Sequence, residues 1–328
     1  MVSKMTTRAK QPIFYNGFLA NILTKYVTFK KSIGYDYNAE AKHFMRLDTF
    51  SKNFELAPNT LTQELVLAWI KRRPNEKQLT QLKRANAIKQ LAYYMRERGY
   101  EAYICPHAVN RPKQPYIPYI FTNDQMKLLL NLADSYPEAN TSRNLNLTIP
   151  LVFRLLYGCG LRASEILNLK IEDVDTKNAL LYISKSKFGK SRVIPMAQSL
   201  SLRCEQYKQK TCISSTETDY FIKNPKGSKY DNQSIYHWFR HLLRQAGIPH
   251  RGKGQGPRVH DIRHTFAVHS LRKWALAGND FKTMLPTLSN YMGHCDLRGT
   301  QIYLRLTSEM YPTIIDTMSE FFSNMEEH

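Results

Sequence analysis

Two arginines in the sequence have settings that suit the binding of a phosphodiester. Arg162 follows a glycine-containing turn at residues 158–160, and Glu165 lies three residues later on the same side of the helix that the turn begins. Arg263 lies three residues after His260, so these two side chains share a helical face. In phosphoryl transfer, negative charge collects on the non-bridging oxygens, and a planar, permanently charged guanidinium binds such oxygens well. The spacing therefore predicts a site that stabilises this charge without a metal.

A tyrosine hydroxyl is a candidate nucleophile for such a site, and the family resemblance given below assigns this role to Tyr303. It lies nine residues after His294. An unperturbed tyrosine hydroxyl has a pKa near 10, so its ionisation at pH 7 costs about 4 kcal/mol unless a base or a positive field assists. His260 is the candidate base, and a lysine in the predicted hairpin at residues 186–192 can give the leaving oxygen its proton. A phosphotyrosine ester retains the energy of the broken bond, so a second strand can be joined without ATP.

Each of these residues also has an ordinary structural explanation. Tyr303 is one of 20 tyrosines, most of which we expect to be packing or surface residues. Arg162 could form a simple helix salt bridge with its acidic neighbour. His260 and His264 have half of the spacing of a zinc-protease helix, but Asp261 replaces the glutamate that such a helix requires. We predict no metal site, and the ordered set of residues outweighs the separate explanations.

The ordered set resembles the catalytic pattern of the tyrosine recombinase, or phage-type integrase, family. The resemblance covers about residues 150–310. It implies six catalytic residues and one supporting acidic residue, which are Arg162, Lys187, His260, Arg263, His294 and Tyr303, with Glu165. Family members often have glycine on both sides of the hairpin lysine, whereas Ser186 and Phe188 flank Lys187 here. Lys185 and Lys190 therefore remain alternatives for this lysine.

The same resemblance implies a fold and an activity. The fold would be mainly α with a small β-hairpin sheet, arranged as a two-domain C-shaped clamp with a helical core-binding domain before the catalytic domain. The activity would be site-specific recombination, through a 3′-phosphotyrosine at Tyr303 and a four-way junction, with no cofactor, metal or ATP. We expect a homo-tetramer on two paired sites in double-stranded DNA. A mobile-element or transposon-borne integrase is the expected origin of the chain.

Sequence patterns divide the chain into two domains. Residues 12–100 have few glycines and carry apolar residues at three- and four-residue steps, which is typical of helices. Two such helices are marked by apolar residues at 61–69 and at 82–95. A proline-rich stretch then favours extended chain. We predict a DNA-binding domain at residues 1–105, a linker at 106–120 and a catalytic domain at 121–328.

Local signals locate several elements of the predicted catalytic domain. Residues 122–125 offer an N-terminal cap for a helix. Residues 180–183 and 192–194 flank a glycine-containing turn and predict a hairpin. The last segment, Ser308 to His328, has apolar residues at helical spacing, and we predict that it docks on a neighbouring protomer, with packing on its own core as the alternative. The candidate DNA-binding residues are Lys83, Arg84, Lys89, Lys190 and Arg192.

The composition favours a DNA-associated protein of the cytoplasm. The formal net charge of +20 at pH 7 attracts polyanions, and nucleic acid is the leading partner. No apolar run approaches the roughly 18 residues that a membrane span needs, and no secretory signal is recognisable. The five scattered cysteines are typical of reduced thiols. Three alternatives remain: a type IB topoisomerase, a DNA-binding regulator without catalysis, and a zinc-dependent hydrolase.

Overall fold

The chain divides into two compact units, Met1–Tyr116 and Ile117–His328. A computed structural model describes residues 13–106, 109, 117–137, 144–184, 191–250, 252, 256–293 and 303–307. The division lies inside the range 106–120 that the sequence predicts as a linker. Within the described residues, no helix combines the length and the apolar character that crossing a membrane requires.

The described part of the first unit is helical. Its helices are α1 (Ala20–Ser32), α2 (Asn38–Ser51), α3 (Gln63–Ile70) and α4 (Gln78–Arg96). Thr62 caps α3, because its hydroxyl accepts a hydrogen bond from the Leu65 backbone N–H at 3.3 Å. Apolar residues that predicted the last two helices, Leu65, Trp69, Ile88 and Leu91, lie in the core of the unit. The helical periodicity of this region is therefore confirmed.

Arg84 lies in the core-facing part of α4 and not on an exposed basic face. Its side chain is 3% exposed and forms an ion pair with Glu76, with 2.7 Å between Nη2 and Oε2. The guanidinium also lies over the ring of Trp69 at 5.2 Å from the centroid. The residues before α4 thus fold back on its first turns, which the pattern of α4 alone does not disclose. Arg84 is therefore not on an exposed face of α4, whereas Lys83 is exposed and Lys89 is half-buried. The DNA contacts of these three residues stay predictions.

The second unit combines helices with a small sheet. Its helices are α5 (Asn123–Asp134), α6 (Leu145–Gly158), α7 (Ala163–Asn168), α8 (Gln198–Thr211), α9 (Asn232–Gln245), α10 (Val259–Leu276) and α11 (Phe281–Met292). The predicted cap of α5 is a capping box, because Thr122 Oγ1 accepts from the Gln125 N–H at 3.2 Å and Gln125 Oε1 accepts from the Thr122 N–H at 3.1 Å. Residues 303–307 form one more helical stretch, here named the tyrosine segment.

The tyrosine segment packs on the last two helices. Leu271 of α10 and Leu288 of α11 form one apolar cluster with Tyr303, Leu304 and Leu306. A larger core lies among α5, α6, α8, α9 and the sheet. Hydrophobic contact with α10 and α11 therefore places Tyr303 against the helix that carries His260 and Arg263.

The sheet contains the predicted hairpin strands and one more strand. Its antiparallel order is β1 (Val174–Asp175), β2 (Leu180–Ile183) and β3 (Arg192–Pro195). Ile183 pairs with Arg192, and Leu181 pairs with Ile194. Side chains alternate along a strand, and Ile183 and Ile194 are buried on the core-facing side. Arg192 therefore also points towards the core, at the end of β3 that follows the hairpin.

Candidate active site

A glycine turn delivers Arg162 to the start of α7, as the spacing predicts. Gly160 has φ +57°, which is the left-handed region, and a Cβ at this residue would lie 2.4 Å from Cδ1 of Phe266. Both the backbone conformation and the available space therefore require glycine. Arg162 is the residue that precedes the first turn of α7.

Replacing Gly160 should destabilise the second unit. In Gly160→Ala the left-handed conformation costs about 1–2 kcal/mol, and the crowding against Phe266 costs about 1–3 kcal/mol more. Chemical denaturation measures this loss. Gly158→Ala is the matched control, because a Cβ there meets its nearest neighbour, Leu200, at an ordinary 3.4 Å. Equal stability of the two variants would contradict the prediction.

Glu165 joins two arginines inside the site. Its Oε1 accepts from Nη1 of Arg162 at 2.7 Å and from Nη1 of Arg192 at 3.0 Å. Its Oε2 accepts from Nη2 of Arg192 and from the Arg162 backbone N–H, each at 2.9 Å. Burial alone would raise the pKa of this carboxyl, but the hydrogen bonds and charges of Arg192 and Arg162 outweigh burial and hold the pKa at about 2. Glu165 is therefore ionised near neutral pH and orients Arg162.

Arg192 belongs to this network. Its side chain is 10% exposed, and its Nε donates to the Tyr291 carbonyl at 2.9 Å. The guanidinium also packs on Gly293, where a Cβ would lie 3.0 Å from Nη1. Arg192 thus links β3 to Glu165 and to the end of α11. This placement argues against the predicted DNA contact of Arg192. The sequence signal for the inward placement was the core-facing Ile194, which lies two residues further along the strand.

Arg263 joins the turn before α7 to the end of α11. Its Nη1 donates to the Gly160 carbonyl and its Nη2 donates to the Met292 carbonyl. The residue is 1% exposed. Burial, and then the charge of Arg162, lower the pKa of this guanidinium to about 10. Arg263 therefore still carries its positive charge at neutral pH, close to Arg162.

Tyr303 is buried beside these charges and contacts a histidine. It is 2% exposed. Burial raises the pKa of its hydroxyl, while the charges of Arg263 and Arg162 act in the opposite direction. The hydroxyl lies 3.2 Å from Nδ1 of His264. His260, the predicted base, is exposed, and its ring meets that of His264 edge to face with 4.9 Å between centroids. The structure thus brings His264, a residue that the spacing suggested only as half of a zinc motif, to the predicted nucleophile.

Several predicted residues lie outside the described part of the chain. They are Lys185, Lys187, Lys190 and His294. Their chain neighbours do belong to the network, because Arg192 begins β3 just after the hairpin and the Gly293 carbonyl accepts from Arg162 Nη2 at 3.4 Å. The other predicted residues that the network brings together are Arg162, Glu165, Arg263 and Tyr303. The roles of the hairpin lysine and of the second histidine stay predictions.

The family of the chain follows from its similarity to known proteins. The phage integrase family matches residues 120–310, which is more than half of the chain. The chain belongs to this family. A Sinorhizobium fredii protein named as an integrase/recombinase, y4rB, is 30% identical over 292 residues, or 87% of this chain and 92% of the relative. Tyrosine recombinase XerA of Pyrococcus horikoshii is 26% identical over 293 residues, or 88% of this chain and 90% of the relative.

The fold agrees with membership of the integrase family. The solved structure of the XerH site-specific recombinase, bound to a palindromic difH substrate, has a TM-score of 0.61 and 19% identity. The match covers 86% of this chain and 78% of that one. The predicted resemblance, the mainly helical fold with a small sheet and the enzyme class are confirmed: the chain is a tyrosine site-specific recombinase. Its origin in a mobile element stays a prediction.

Proposed function

We propose that this recombinase cleaves and rejoins DNA through a covalent 3′-phosphotyrosine at Tyr303. The observation that supports the proposal is the burial of this tyrosine beside two permanent positive charges. Arg263 and Arg162 both act on its hydroxyl and favour the phenolate. A phosphate bound by the same guanidiniums would lie next to the nucleophile. Fixed charges of this kind also stabilise the negative charge that develops on the phosphate oxygens in the transition state.

The two arginines would bind the non-bridging oxygens in different ways. Glu165 holds Arg162 in one orientation by its side chain and its backbone. Arg263 uses two donors for backbone carbonyls, and a guanidinium carries five N–H donors, so the carbonyls do not exhaust it. Two hydrogen bonds from one guanidinium to the phosphate oxygens fix the position of the phosphorus atom and also neutralise charge. Both arginines therefore combine positioning with electrostatic stabilisation.

The remaining predicted residues would manage protons and the leaving group. Lys187 would protonate the 5′ oxygen as it leaves, and His294 would hydrogen-bond the phosphate. His260 would assist from the exposed side of α10. The ester at Tyr303 keeps the energy of the broken bond, so a 5′ hydroxyl of another strand can attack it and close the DNA without metal or ATP.

The positive net charge of the chain supports DNA as its binding partner. The net charge of +20 favours a polyanion, and each phosphate that a cation neutralises releases counterions. The solved XerH site-specific recombinase is bound to a palindromic difH substrate. For this chain we propose binding to a specific site in double-stranded DNA. We also propose a tetramer on two paired sites, with strand exchange through a four-way junction. The protein would act on DNA in the cytoplasm. The docking of residues 308–328 on a neighbouring protomer lies outside the described residues and stays a prediction.

Mapping the covalent adduct tests this proposal. The test duplex comes from the DNA that flanks the gene and carries a nick near the cleavage point. After cleavage, the short fragment that carries the new 5′ hydroxyl dissociates. It can then no longer rejoin, so the covalent intermediate accumulates. After proteolysis, mass spectrometry should find the DNA linked to the peptide that contains Tyr303. An adduct on another residue, of which Tyr311 is the next candidate, would overturn the assignment. Binding without any adduct would favour the regulator, and relaxation of supercoils without a specific site would favour the topoisomerase.

A further inference from the structure

We propose that His264 takes the proton from Tyr303 during strand cleavage and returns it during rejoining. The proposal rests on the proposed function, because it presupposes Tyr303 as the nucleophile. Its geometric basis is direct contact: Nδ1 of His264 lies 3.2 Å from the Tyr303 hydroxyl oxygen, and the two rings are tilted with 5.5 Å between centroids. His264 therefore touches the atom that would attack the phosphate.

The burial of Tyr303 favours transfer of its proton to a group in direct contact with it. The side chain is 2% exposed, and burial raises the pKa of its hydroxyl. Arg263 also hydrogen-bonds this hydroxyl, but a guanidinium only donates. Its charge stabilises the phenolate and cannot remove the proton. An imidazole nitrogen can accept a proton near neutral pH, so His264 supplies what Arg263 lacks.

The helix that carries His264 also offers the proton a route outwards. His260 lies one turn earlier on α10, and its ring meets the ring of His264 at 4.9 Å and 84°. His260 is exposed, whereas His264 is partly buried. Among the described residues, the groups in contact with His264 include His260 from its own helix and Tyr303 from the tyrosine segment, and the charges of Arg263 and Arg162 act on the Tyr303 hydroxyl. A protonated His264 would lie between the nucleophile and a solvent-exposed imidazole.

The proton balance of the step is complete. The bond between the Tyr303 oxygen and phosphorus forms while the bond from phosphorus to the 5′ oxygen breaks. The phenol proton passes to Nδ1 of His264, and the 5′ oxygen takes a proton from the general acid predicted at Lys187. In rejoining, the 5′ hydroxyl attacks phosphorus and gives its proton back to the group predicted at Lys187. The bond from phosphorus to the tyrosine oxygen breaks, and His264 returns its proton to that oxygen. No other reagent is consumed.

Two substitutions separate the hydrogen bond from the proton transfer. His264→Asn places an amide near the position of Nδ1, so it can keep the hydrogen bond but cannot accept the proton. His264→Phe keeps the ring contact and loses both. Adduct formation on the nicked duplex under single-turnover conditions should fall about 10²- to 10⁴-fold in each variant at pH 7. In His264→Asn the rate should rise roughly tenfold for each pH unit, because the phenol must ionise by itself.

A substrate with sulfur in place of the bridging 5′ oxygen distinguishes a proton acceptor at His264 from a general acid that protonates the leaving group. If sulfur replaces the bridging 5′ oxygen, the leaving group is a stable thiolate that departs without a proton. The deficit of the His264 variants should persist on this substrate, whereas a deficit that arises only from lost leaving-group protonation should disappear. Recovery of His264→Asn to the wild-type rate on the sulfur substrate would overturn the proposal.

The chain contains a matched control on the same helix. His269 of α10 also forms a bond through Nδ1 to a tyrosine hydroxyl, that of Tyr157, at 2.8 Å. His269→Asn and His269→Phe should cleave like the wild type, since this pair does not belong to the site. If the His264 and His269 variants lost cleavage activity equally, the effect would be structural, and the proposal would be overturned.

The outcomes also distinguish this proposal from the proposed function. Wild-type or faster cleavage by His264→Asn would overturn the role of His264 and leave Tyr303 as the nucleophile. An adduct that persists in Tyr303→Phe would overturn the proposed function itself. Slow cleavage in both His264 variants, a steeper pH dependence and normal His269 variants together are the expected result.

Discussion

A Tyr303→Phe chain should form no covalent adduct with DNA, while its fold and its DNA binding stay close to those of the wild type. The phenylalanine keeps the ring that packs against Leu271 and Leu288 in the cluster of α10 and α11. The substitution removes the hydroxyl and its hydrogen bonds to His264 and to the Arg263 guanidinium, and bonds of these kinds are worth about 0.5–3 kcal/mol each. Without the hydroxyl no ester to the phosphate can form, so the loss of cleavage should be complete.

Denaturing gels of the nicked duplex measure the adduct, and thermal unfolding measures the fold. Tyr157→Phe is the control, because it removes a tyrosine hydroxyl that is also bonded to a histidine of α10, at 2.8 Å from His269. This control should also lose some stability, and it should retain cleavage. If Tyr303→Phe still forms an adduct, the nucleophile lies elsewhere in the chain.

Replacing Glu165 by glutamine should damage both stability and cleavage. The carboxylate accepts four charge-assisted hydrogen bonds from Arg162 and Arg192 and lies between their charges. In Glu165→Gln the two guanidiniums face each other without a compensating charge, and one of them faces amide hydrogens. Breaking a buried ion pair in this way costs about 3–5 kcal/mol. Because Arg162 loses its orientation, cleavage should also slow by about 10²- to 10³-fold.

The stability that Glu165 contributes should depend on pH in a defined direction. The pKa of this carboxyl is about 2 in the folded protein against 4.5 for an unperturbed glutamate side chain, so the folded state favours the ionised form. The difference corresponds to about 3 kcal/mol. This contribution is fully present above about pH 5 and is lost progressively as the pH falls towards 2. The advantage of the wild type over Glu165→Gln should therefore shrink between pH 7 and pH 3.

Urea denaturation at the two pH values measures this effect. Glu205→Gln is the matched control, because Glu205 also accepts hydrogen bonds, from Thr176 at 2.6 Å and from Gln209 at 2.9 Å, but forms no ion pair among the described contacts. Its loss should stay within about 1 kcal/mol. A Glu165→Gln chain as stable as this control at pH 7 would contradict the prediction.

Local patterns account for much of the fold. The capping box of Thr122 and Gln125 involves residues three apart, so the chain signals it directly. The helical periodicity of α3 and α4 and the strands of the hairpin also depend on close neighbours. The strand β1, in contrast, has two residues, too few for a recognisable alternation. Such a short strand depends on its pairing with β2.

The candidate site was likewise predicted only in part from the sequence. Residue types, their order and the family resemblance were sufficient to propose Arg162, Arg263 and Tyr303. They did not reveal that Arg192 shares a carboxylate with Arg162, because Glu165 lies 27 residues before Arg192. Nor did they reveal that Arg84 is buried, because the ion pair with Glu76 depends on how the preceding loop folds back.

His264 illustrates the physical reason for this limit. Helical spacing places His260 and His264 on one face of α10, and both are equally plausible partners for a tyrosine. Which of them reaches Tyr303 depends on where the tyrosine segment packs, 39 residues later in the chain. The sequence by itself determined the helices, the hairpin and the set of reactive side chains, because these follow from short-range geometry and residue chemistry. Only the tertiary structure decided which charges share a carboxylate and which imidazole meets the nucleophile, because hydrophobic packing of distant segments sets those distances.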